Sequence, residues 1–369
     1  MITAFINATI FTGEETIKGK VLLTDGGKVS AIADPGAVTP DIKVIDCKDG
    51  IIAPGLIDLQ IAGGGGYLFS DNPVPEALTA VTESIIKSGT TAFLIAIPTN
   101  SEFIYHKAIK TIKENPHPAI LGLHLEGPFI SPSKAGAHSR EHIIIPGVED
   151  IRKLLSDADG AVKMITVAPE VCTPEVLKVM SDYGVTISAG HSNATYSEAL
   201  NGFRNGISTV THLFNAMSPL HHRNPGLPGA AFMTKGVSAA IIADGIHVSY
   251  DMVALSKSVM KERLYLVSDA VEESHHGPYQ HIRQKDRFTL PDGTLSGSAL
   301  TMLQAVKNCG RHVGIPLEEA LRMASLYPAR VLNCKDRGMI KKGYRADLII
   351  FNKDLALKGV VSDGKPVSI

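Results

Sequence analysis

Side chains that bind metal ions or move protons accompany several short apolar segments in the middle of the chain. Glu126 ends AILGLHLE, His191 follows VTISAG, His212 lies in ISTVTHL, and Asp269 follows RLYLVS. One carboxylate and two imidazoles, with a fourth position left for water, are typical of a catalytic zinc site. An aspartate beside such an ion is a candidate general base. The four residues predict metal-assisted hydrolysis if the fold brings their segments together.

Each of these residues also has a structural alternative. Glu126 could cap a turn, His191 could stand beside a helix cap, His212 could be a hydrogen-bonded core histidine, and Asp269 could turn the chain. An unpaired carboxylate at the mouth of an apolar strand is costly, which favours a ligand role for Glu126. Its presence with His191 favours the same role for His212. His124, two residues before Glu126, is expected to be a core or supporting residue and not a ligand.

The elements that must position these residues follow a regular order. Apolar segments alternate with segments of helical period, which predicts parallel βα units closing into a (β/α)8 TIM-type barrel. An open doubly wound sheet is the alternative. In a barrel the site lies at the C-terminal ends of the strands, where the residues above are found. The predicted strands are 51–61, 90–97, 119–125, 162–168, 185–190, 207–213, 237–243 and 263–268.

Both ends of the chain have a different pattern, with short alternating strands around tight turns such as Asp25-Gly26-Gly27 and Asp363-Gly364. We therefore expect a small β-sandwich domain built from residues 1–52 and 335–369. The metal-dependent barrel is expected to occupy residues 53–334.

Composition excludes several function classes. The 369 residues carry 36 Lys and Arg against 37 Asp and Glu, a net charge of −1, which gives no indication of a nucleic-acid or membrane partner. No apolar stretch is long enough to cross a membrane, and no signal peptide is apparent. The four cysteines form no C-x-x-C pair and are expected to be reduced, which favours a cytoplasmic protein.

Several loops are candidates for substrate contact. The loop after residue 213 carries Arg223, whose forked guanidinium suits a phosphate, although most single loop arginines are simply solvated. LSGSALTM (295–302) places small residues before a helix, where backbone groups can contact a ligand. KAGAHSREHI (134–143) carries His138 and Arg140, and the alternative for this segment is a surface lid. The histidine-rich SHHGPYQH (274–281) has no common metal-site spacing and is expected to be a loop.

Motifs spread over nearly the whole chain resemble those of the N-acetylglucosamine-6-phosphate deacetylases of the amidohydrolase superfamily. They are GLHLEGPF, SAGHSNAT, THLFNAM, PGLPGA, IIADGIHV, VSDA, GTLSGSALTM and MASLYPAR. The resemblance implies a metal held by Glu126, His191 and His212, with Asp269 as general base and then acid. It implies that the sugar phosphate contacts Ala137, His138, Asn215, Ala216, Arg223, Asp244, Gly245, Ile246, His247, Leu295, Ser296 and Gly297.

The resemblance also predicts the number of metal ions. Some members of the resembled family end the first strand in His-x-His and hold two ions, whereas others have Gln there and hold one. Gln60 and Ala62 occupy those positions here and place the chain with the second kind. We therefore expect one divalent ion per subunit, with Gln60 as a neighbour of the metal site. Zn²⁺ fits these ligands best, and Fe²⁺, Co²⁺ or Mn²⁺ would suit them too.

The activity that the resemblance implies is hydrolysis of the acetamido group of N-acetyl-D-glucosamine 6-phosphate to D-glucosamine 6-phosphate and acetate by a metal-activated water. A homodimer is implied, with Arg223 reaching the neighbouring active site. The alternatives are the galactosamine epimer of the substrate, a cyclic-amide hydrolase, and a barrel kept as a non-catalytic scaffold. The missing first-strand histidines and the position of Lys163 at the start of its strand argue against the cyclic-amide hydrolase.

Overall fold

The computed structural model describes residues 2–369, and its strands form two large sheets and two short hairpins. In chain order the strands are β1 (Thr3–Phe11), β2 (Thr16–Ile17), β3 (Val21–Asp25), β4 (Lys28–Ala33), β5 (Lys43–Pro54), β6 (Leu56–Ile61), β7 (Gly63–Gly64), β8 (Tyr67–Leu68), β9 (Thr90–Pro98), β10 (Ile120–Glu126), β11 (Val162–Val167), β12 (Thr186–Ala189), β13 (Ile207–Val210), β14 (Ser238–Ile241), β15 (Leu264–Leu266), β16 (Ile282–Arg283), β17 (Phe288–Thr289), β18 (Leu348–Phe351), β19 (Leu357–Ser362) and β20 (Lys365–Val367).

Helices separate the central strands. They are α1 (Pro75–Lys87), α2 (Glu102–Glu114), α3 (Val148–Ala158), α4 (Pro174–Asp182), α5 (Tyr196–Arg204), α6 (Gly226–Met233), α7 (Tyr250–Met260), α8 (Met302–Asn308), α9 (Leu317–Met323) and α10 (Leu326–Val331). Their starts follow local rules. At α5, the Thr195 hydroxyl accepts from the Glu198 N–H while the Glu198 carboxylate accepts from the Thr195 N–H. This reciprocal pair satisfies two of the free N–H groups at a helix start.

The central sheet is the predicted barrel. Its strands are hydrogen-bonded in the order β15-β14-β13-β12-β11-β10-β9-β6, and every pairing is parallel. All residues of β6 and β9 are buried, as expected for strands covered on both faces. The confirmed alternation of strands and helices therefore places all the strand ends at one face of the molecule.

The ring closes between its first and last strands through a side chain. The Asp58 carboxylate, on β6, accepts a hydrogen bond from the Ser268 N–H at 3.2 Å, just after β15. The Asp269 N–H donates to the Gln60 carbonyl at 3.0 Å, and Ile61 bridges to Ala270. Burial raises the pKa of Asp58 to about 7. Closure therefore combines the Asp58 side chain with backbone groups of Gln60 and Asp269, two residues of the predicted site.

Strands from both ends of the chain form the second sheet, in the order β20-β19-β18-β5-β1-β3-β4, with β2 paired to β1. This sheet has its own buried apolar cluster, which includes Phe5, Leu22, Ile52 and Leu348. The exact domain limits stay a prediction, and β5 extends two residues past the expected limit at residue 52.

One predicted strand is in fact two. Residues 51–61 were expected to form a single barrel strand, but the first part belongs to β5 in the terminal sheet and the second part is β6 in the barrel. Gly55 lies between them, and a Cβ there would lie 2.0 Å from the Thr91 hydroxyl oxygen. Both parts are almost entirely buried, so the apolar pattern continues across the break between the sheets.

No helix within residues 2–369 has the length and hydropathy to cross a membrane.

Candidate metal centre and active site

Three predicted ligands converge at the C-terminal end of the barrel. Glu126 ends β10, His191 follows β12 after one residue, and His212 follows β13. The Glu126 Oε1 atom lies 3.1 Å from the His191 Nε2 atom and 2.8 Å from the His212 Nε2 atom, and the two nitrogens are 3.1 Å apart. Ligand atoms on one tetrahedral zinc ion are roughly 3.3 Å apart, given Zn–N and Zn–O bonds of about 2.0–2.2 Å. The three side chains therefore have the spacing of ligands to one small cation.

The hydrogen bonds of the histidines fit this donor set. The His191 Nδ1–H donates to the Lys134 carbonyl at 3.0 Å, which leaves a lone pair on the His191 Nε2 atom. The His212 Nδ1 atom is buried and has no hydrogen-bond partner among residues 2–369, so its Nε2 atom makes the ring's only polar side-chain contacts. Three ligand atoms this close need a proton or a cation among them, and one divalent ion would satisfy all three at once. These residues fit a divalent ion.

The backbone at this site is strained. His191, His212, Ala216 and Asp269 have φ values of 45°, 28°, 50° and 53°, a left-handed region that residues other than glycine rarely adopt. Gly190 precedes His191 because a Cβ there would lie 2.7 Å from the Thr166 Cγ2 atom and 2.9 Å from the Thr211 Cβ atom. Strain of this kind clusters at functional sites, where the surrounding packing enforces it.

His124 supports the site from inside the barrel, as the sequence indicated. Its Nδ1–H donates to the Leu59 carbonyl at 2.9 Å, so its Nε2 atom accepts from the Thr166 hydroxyl at 2.7 Å. Thr166 and Ser188 each hydrogen-bond to Thr211. Burial lowers the pKa of His124, which keeps the ring neutral. This polar layer fixes the strand ends that carry the three converging side chains.

Asp269 lies beside the converging residues and contacts Gln60. The Gln60 Nε2–H donates to the Asp269 Oδ1 atom at 2.9 Å. Burial, followed by the nearby Glu126 carboxylate, raises the pKa of Asp269 to about 7, while His212 and His247 oppose the shift. A carboxylate with a pKa near neutrality is well suited to exchange protons.

His138 presents an N–H to the same space. Its Nδ1 atom accepts from the Thr99 N–H at 3.3 Å, so its proton is on the Nε2 atom, 3.8 Å from the Glu126 Oε2 atom. Burial and the neighbouring His191 hold the pKa of His138 well below its usual value, and the ring is neutral. His138 can therefore donate one hydrogen bond towards a ligand beside Glu126.

These residues line a cavity of about 380 Å³, a size that suits a small ligand. The structure brings most of the predicted residues to it. Of the predicted substrate contacts, those that line it are Ala137, His138, Asn215, Ala216, His247, Leu295, Ser296 and Gly297. Asp244, Gly245 and Ile246 do not line this cavity. Arg223 does not line it either, and lies in a separate surface depression with Tyr196 and Pro219.

Asp244 acts on the cavity through His247. The His247 Nδ1–H donates to the Asp244 Oδ2 atom at 2.6 Å, and its Nε2–H donates to the Ser296 carbonyl at 2.9 Å. Burial opposes both charges, but the contact raises the pKa of His247 and lowers that of Asp244. Because both ring nitrogens donate, the geometry is that of a protonated histidine.

Sequence reasoning missed several residues of the cavity. Tyr279 and His281 line it, although 274–281 was predicted only as a loop, and Lys134 lines it from the candidate segment 134–143. The Tyr279 hydroxyl donates to the Thr99 carbonyl, and the His281 Nδ1 atom lies 2.9 Å from the Ser296 hydroxyl. Burial lowers the pKa of His281 to about 4. The clustered aromatic and histidine residues of SHHGPYQH were the available indication, but their position depends on long-range contacts.

Comparison with known proteins identifies the class. Residues 51–367 match the model of the amidohydrolase family. The chain therefore belongs to the amidohydrolase family, whose members are metal-dependent hydrolases acting on amides.

The similar proteins narrow this class. N-acetylglucosamine-6-phosphate deacetylase from Haemophilus influenzae is 34% identical to the chain, over 98% of both sequences. The crystal structure of N-acetylglucosamine-6-phosphate deacetylase from Pasteurella multocida has a TM-score of 0.96 at 34% identity and covers 100% of both chains. N-acetylgalactosamine-6-phosphate deacetylase from Shewanella sp. is 35% identical, over 83% of this chain and 80% of its own.

Proposed function

We propose that this protein hydrolyses the acetamido group of N-acetyl-D-glucosamine 6-phosphate to D-glucosamine 6-phosphate and acetate. The observation that carries the proposal is the convergence of Glu126, His191 and His212 beside Asp269 in one cavity. The similarity to named deacetylases over nearly the full length supports the choice of substrate.

We propose that Glu126, His191 and His212 hold one divalent ion, with Zn²⁺ the best match to one carboxylate and two imidazoles. When bound, the ion would lower the pKa of a water molecule from about 15.7 to about 7 and polarise the amide carbonyl. Gln60 and Ala62 supply no histidine for a second ion.

The chain's own residues would perform the proton transfers. Asp269 accepts a proton from the attacking water and later delivers it to the leaving nitrogen, since it is the carboxylate with a pKa near 7 beside the ligands. The His138 Nε2–H donates to the carbonyl oxygen, where negative charge develops. Breaking the C–N bond then yields the amino sugar and acetate.

The remaining cavity residues would bind the sugar. His247 is held by Asp244 and Ser296 through both ring nitrogens, so it would present the edge of its ring to the sugar and fix the wall of the cavity. Asn215, Ala216 and the 295–297 segment supply amide and backbone groups on the other walls. We propose that Gly245 and Ile246 act on the substrate only indirectly, because the Ile246 N–H donates to Asp244, which in turn holds His247.

We propose a homodimer in which Arg223 binds the phosphate in the neighbouring active site. Arg223 is exposed, does not line the cavity of its own chain, and makes no ion pair within residues 2–369. Exposed Leu220 and Met233 lie on the same loop and at the end of α6, which follows it. A cation flanked by exposed apolar side chains is typical of an interface.

We propose a cytoplasmic location. The four cysteines, Cys47, Cys172, Cys309 and Cys334, are all free thiols. Free cysteines in a chain of this size are typical of reducing compartments.

The test is an assay of acetate release from N-acetylglucosamine 6-phosphate and N-acetylgalactosamine 6-phosphate, with metal analysis of the same sample. We expect faster turnover of the glucosamine epimer and one ion per chain. Faster turnover of the galactosamine epimer would favour the second candidate, which the similarity to the Shewanella enzyme supports. Release from neither compound would contradict the proposal.

A further inference from the structure

Gln60 and Asp269 are joined by two hydrogen bonds, although 209 residues separate them in the chain. The Asp269 N–H donates to the Gln60 carbonyl at 3.0 Å, and the Gln60 Nε2–H donates to the Asp269 Oδ1 atom at 2.9 Å. The first bond belongs to the closure of the barrel. The second joins only side chains and is not needed for that closure.

We propose that Gln60 is a positioning residue, whose side-chain amide holds one carboxylate oxygen of Asp269 so that the other oxygen faces the reacting water. This inference rests on the proposed function, in which Asp269 moves the protons.

The Gln60 side chain is a rigid support. Gln60 is only 1% exposed and lies near the end of β6, a fully buried strand. Its own N–H donates to the Asp58 Oδ1 atom at 3.2 Å, and Asp58 also anchors the Ser268 N–H of the last strand end. Supporting residues on packed strands hold reacting groups more precisely than residues on loops.

Asp269 needs such a support. Within the described part of the chain, residues 2–369, its carboxylate receives one hydrogen bond, from Gln60. Rotation about the bond to a carboxylate group is broad, so packing alone fixes its two oxygens poorly. With the Oδ1 atom engaged by the amide, the Oδ2 atom is free to accept a proton.

A neutral amide is suited to this position. The Gln60 amide nitrogen lies 2.9 Å from the Asp269 Oδ1 atom, so a carboxylate in its place would repel the general base. An apolar side chain would fill the space but donate nothing. Glutamine donates a hydrogen bond without adding charge, and it gives the first strand a role in a site that lacks the His-x-His pair.

The first test is Gln60→Met, which keeps the length of the side chain and removes the donor. We expect kcat to fall by about 10- to 100-fold, because misplacing a reacting group by about 1 Å can cost that much. We expect KM to stay within about twofold, one ion per chain to remain, and a crystal structure of the variant to show the Asp269 carboxylate rotated. Unchanged kcat, or loss of the ion, would overturn the proposal.

A matched control is Gln304→Met. The Gln304 Nε2–H also donates to a side-chain oxygen, that of Asn308 at 2.8 Å, but on the exposed side of α8. This variant should keep the wild-type kcat, KM and metal content. An equal fall in kcat in both variants would show that the effect is not specific to Asp269.

If the Gln60→Met variant does not fold, the Gln60→Glu variant tests whether residue 60 contacts and positions Asp269. Two carboxylates at this distance retain a proton between them, so the acid limb of the pH profile of kcat/KM should move up by about one unit or more. An acid limb at the same pH as in the wild type would contradict the positioning role of Gln60. Failure of the proposed function is distinguishable, because the metal-loaded wild-type protein would then release no acetate.

Discussion

At the scale of single residues, the site is built from the ends of strands that are distant in the chain. Glu126 and His212 have Oε1 and Nε2 atoms 2.8 Å apart, although 86 residues separate them. Nearby backbone groups orient two of the rings. The Lys134 carbonyl accepts from His191, and the Thr99 N–H donates to His138. The chemistry therefore depends on hydrogen-bond partners as much as on the residue types themselves.

Asp269→Asn tests the proton-transfer role. Asparagine keeps the shape but cannot accept a proton at neutral pH, so we expect kcat to fall by about 10²- to 10⁴-fold. One ion per chain and a nearly unchanged KM should remain, because Glu126, His191 and His212 are untouched. Steady-state kinetics with metal analysis would check this. A variant that keeps a tenth of the wild-type kcat would contradict the assignment.

Asp244→Asn tests the charge on His247. The pKa of His247 is raised in the folded protein, so its contribution to stability is complete below the unfolded-chain pKa of about 6.5 and is lost as pH rises through the higher folded value. The pKa of Asp244 is lowered, so its contribution is lost only as pH falls below about 4.

The thermal unfolding midpoint of the Asp244→Asn variant should therefore fall further below that of the wild type at pH 5.5 than at pH 8.5. Asparagine can still accept from the Ile246 N–H, so the turn is kept. Thermal unfolding monitored by circular dichroism at the two pH values measures the difference. An equal loss at both pH values would contradict a protonated His247.

At the scale of elements, the segment between β15 and α8 covers one side of the cavity. It is tied to the barrel at several points: the Tyr279 hydroxyl donates to the Thr99 carbonyl, Ser274 donates to the Asp71 carboxylate, and Glu272 accepts from the Gly66 N–H at 2.9 Å. Tyr279 is only 1% exposed. The short β16–β17 pair alone could not order this segment, since isolated hairpins are marginally stable.

Tyr279→Phe tests the attachment of this covering segment. Removing the hydroxyl leaves the Thr99 carbonyl without that partner, a loss of about 1–3 kcal/mol in docking of the segment. We expect faster amide hydrogen exchange in residues 272–296 and a several-fold higher KM, with kcat less affected. The matched control is Tyr183→Phe on the exposed end of α4, which should change neither. Unchanged exchange in the Tyr279 variant would show that the hydroxyl does not hold the segment.

At the scale of the whole molecule, the proposed dimer explains why a residue suited to phosphate lies outside the cavity of its own chain. A two-fold axis that places Arg223 of one subunit at the cavity of the other completes both sites at once. The near-neutral net charge of −1 provides no long-range attraction for an anionic substrate. Local cations must therefore bind the phosphate.

Mixing two inactive variants tests this arrangement. In a mixed dimer of Arg223→Ala and Asp269→Asn subunits, one site would combine an intact Asp269 with the partner's intact arginine. If subunits exchange freely, activity should recover to roughly one site in four, because half of the dimers are mixed and each has one complete site. Sedimentation should show a dimer. No recovery on mixing dimeric variants would place Arg223 in its own subunit's site or in none.

The sequence by itself determined the strand–helix alternation and the residue types at the strand ends, because burial on both faces leaves a continuous apolar pattern and a change to polar residues marks each end. This pattern was sufficient to predict the barrel and to predict that Glu126, His191, His212 and Asp269 come together. It did not separate β5 from β6, because strands of two different sheets are equally buried there.

Only the tertiary structure decided the contacts between distant segments. The places of Tyr279 and His281 at the cavity and the hydrogen bond from Gln60 to Asp269 depend on which segments pack together. Such contacts join residues far apart in the chain, so no local periodicity encodes them. They are fixed by the closure of the barrel, which brings the first and last strands side by side.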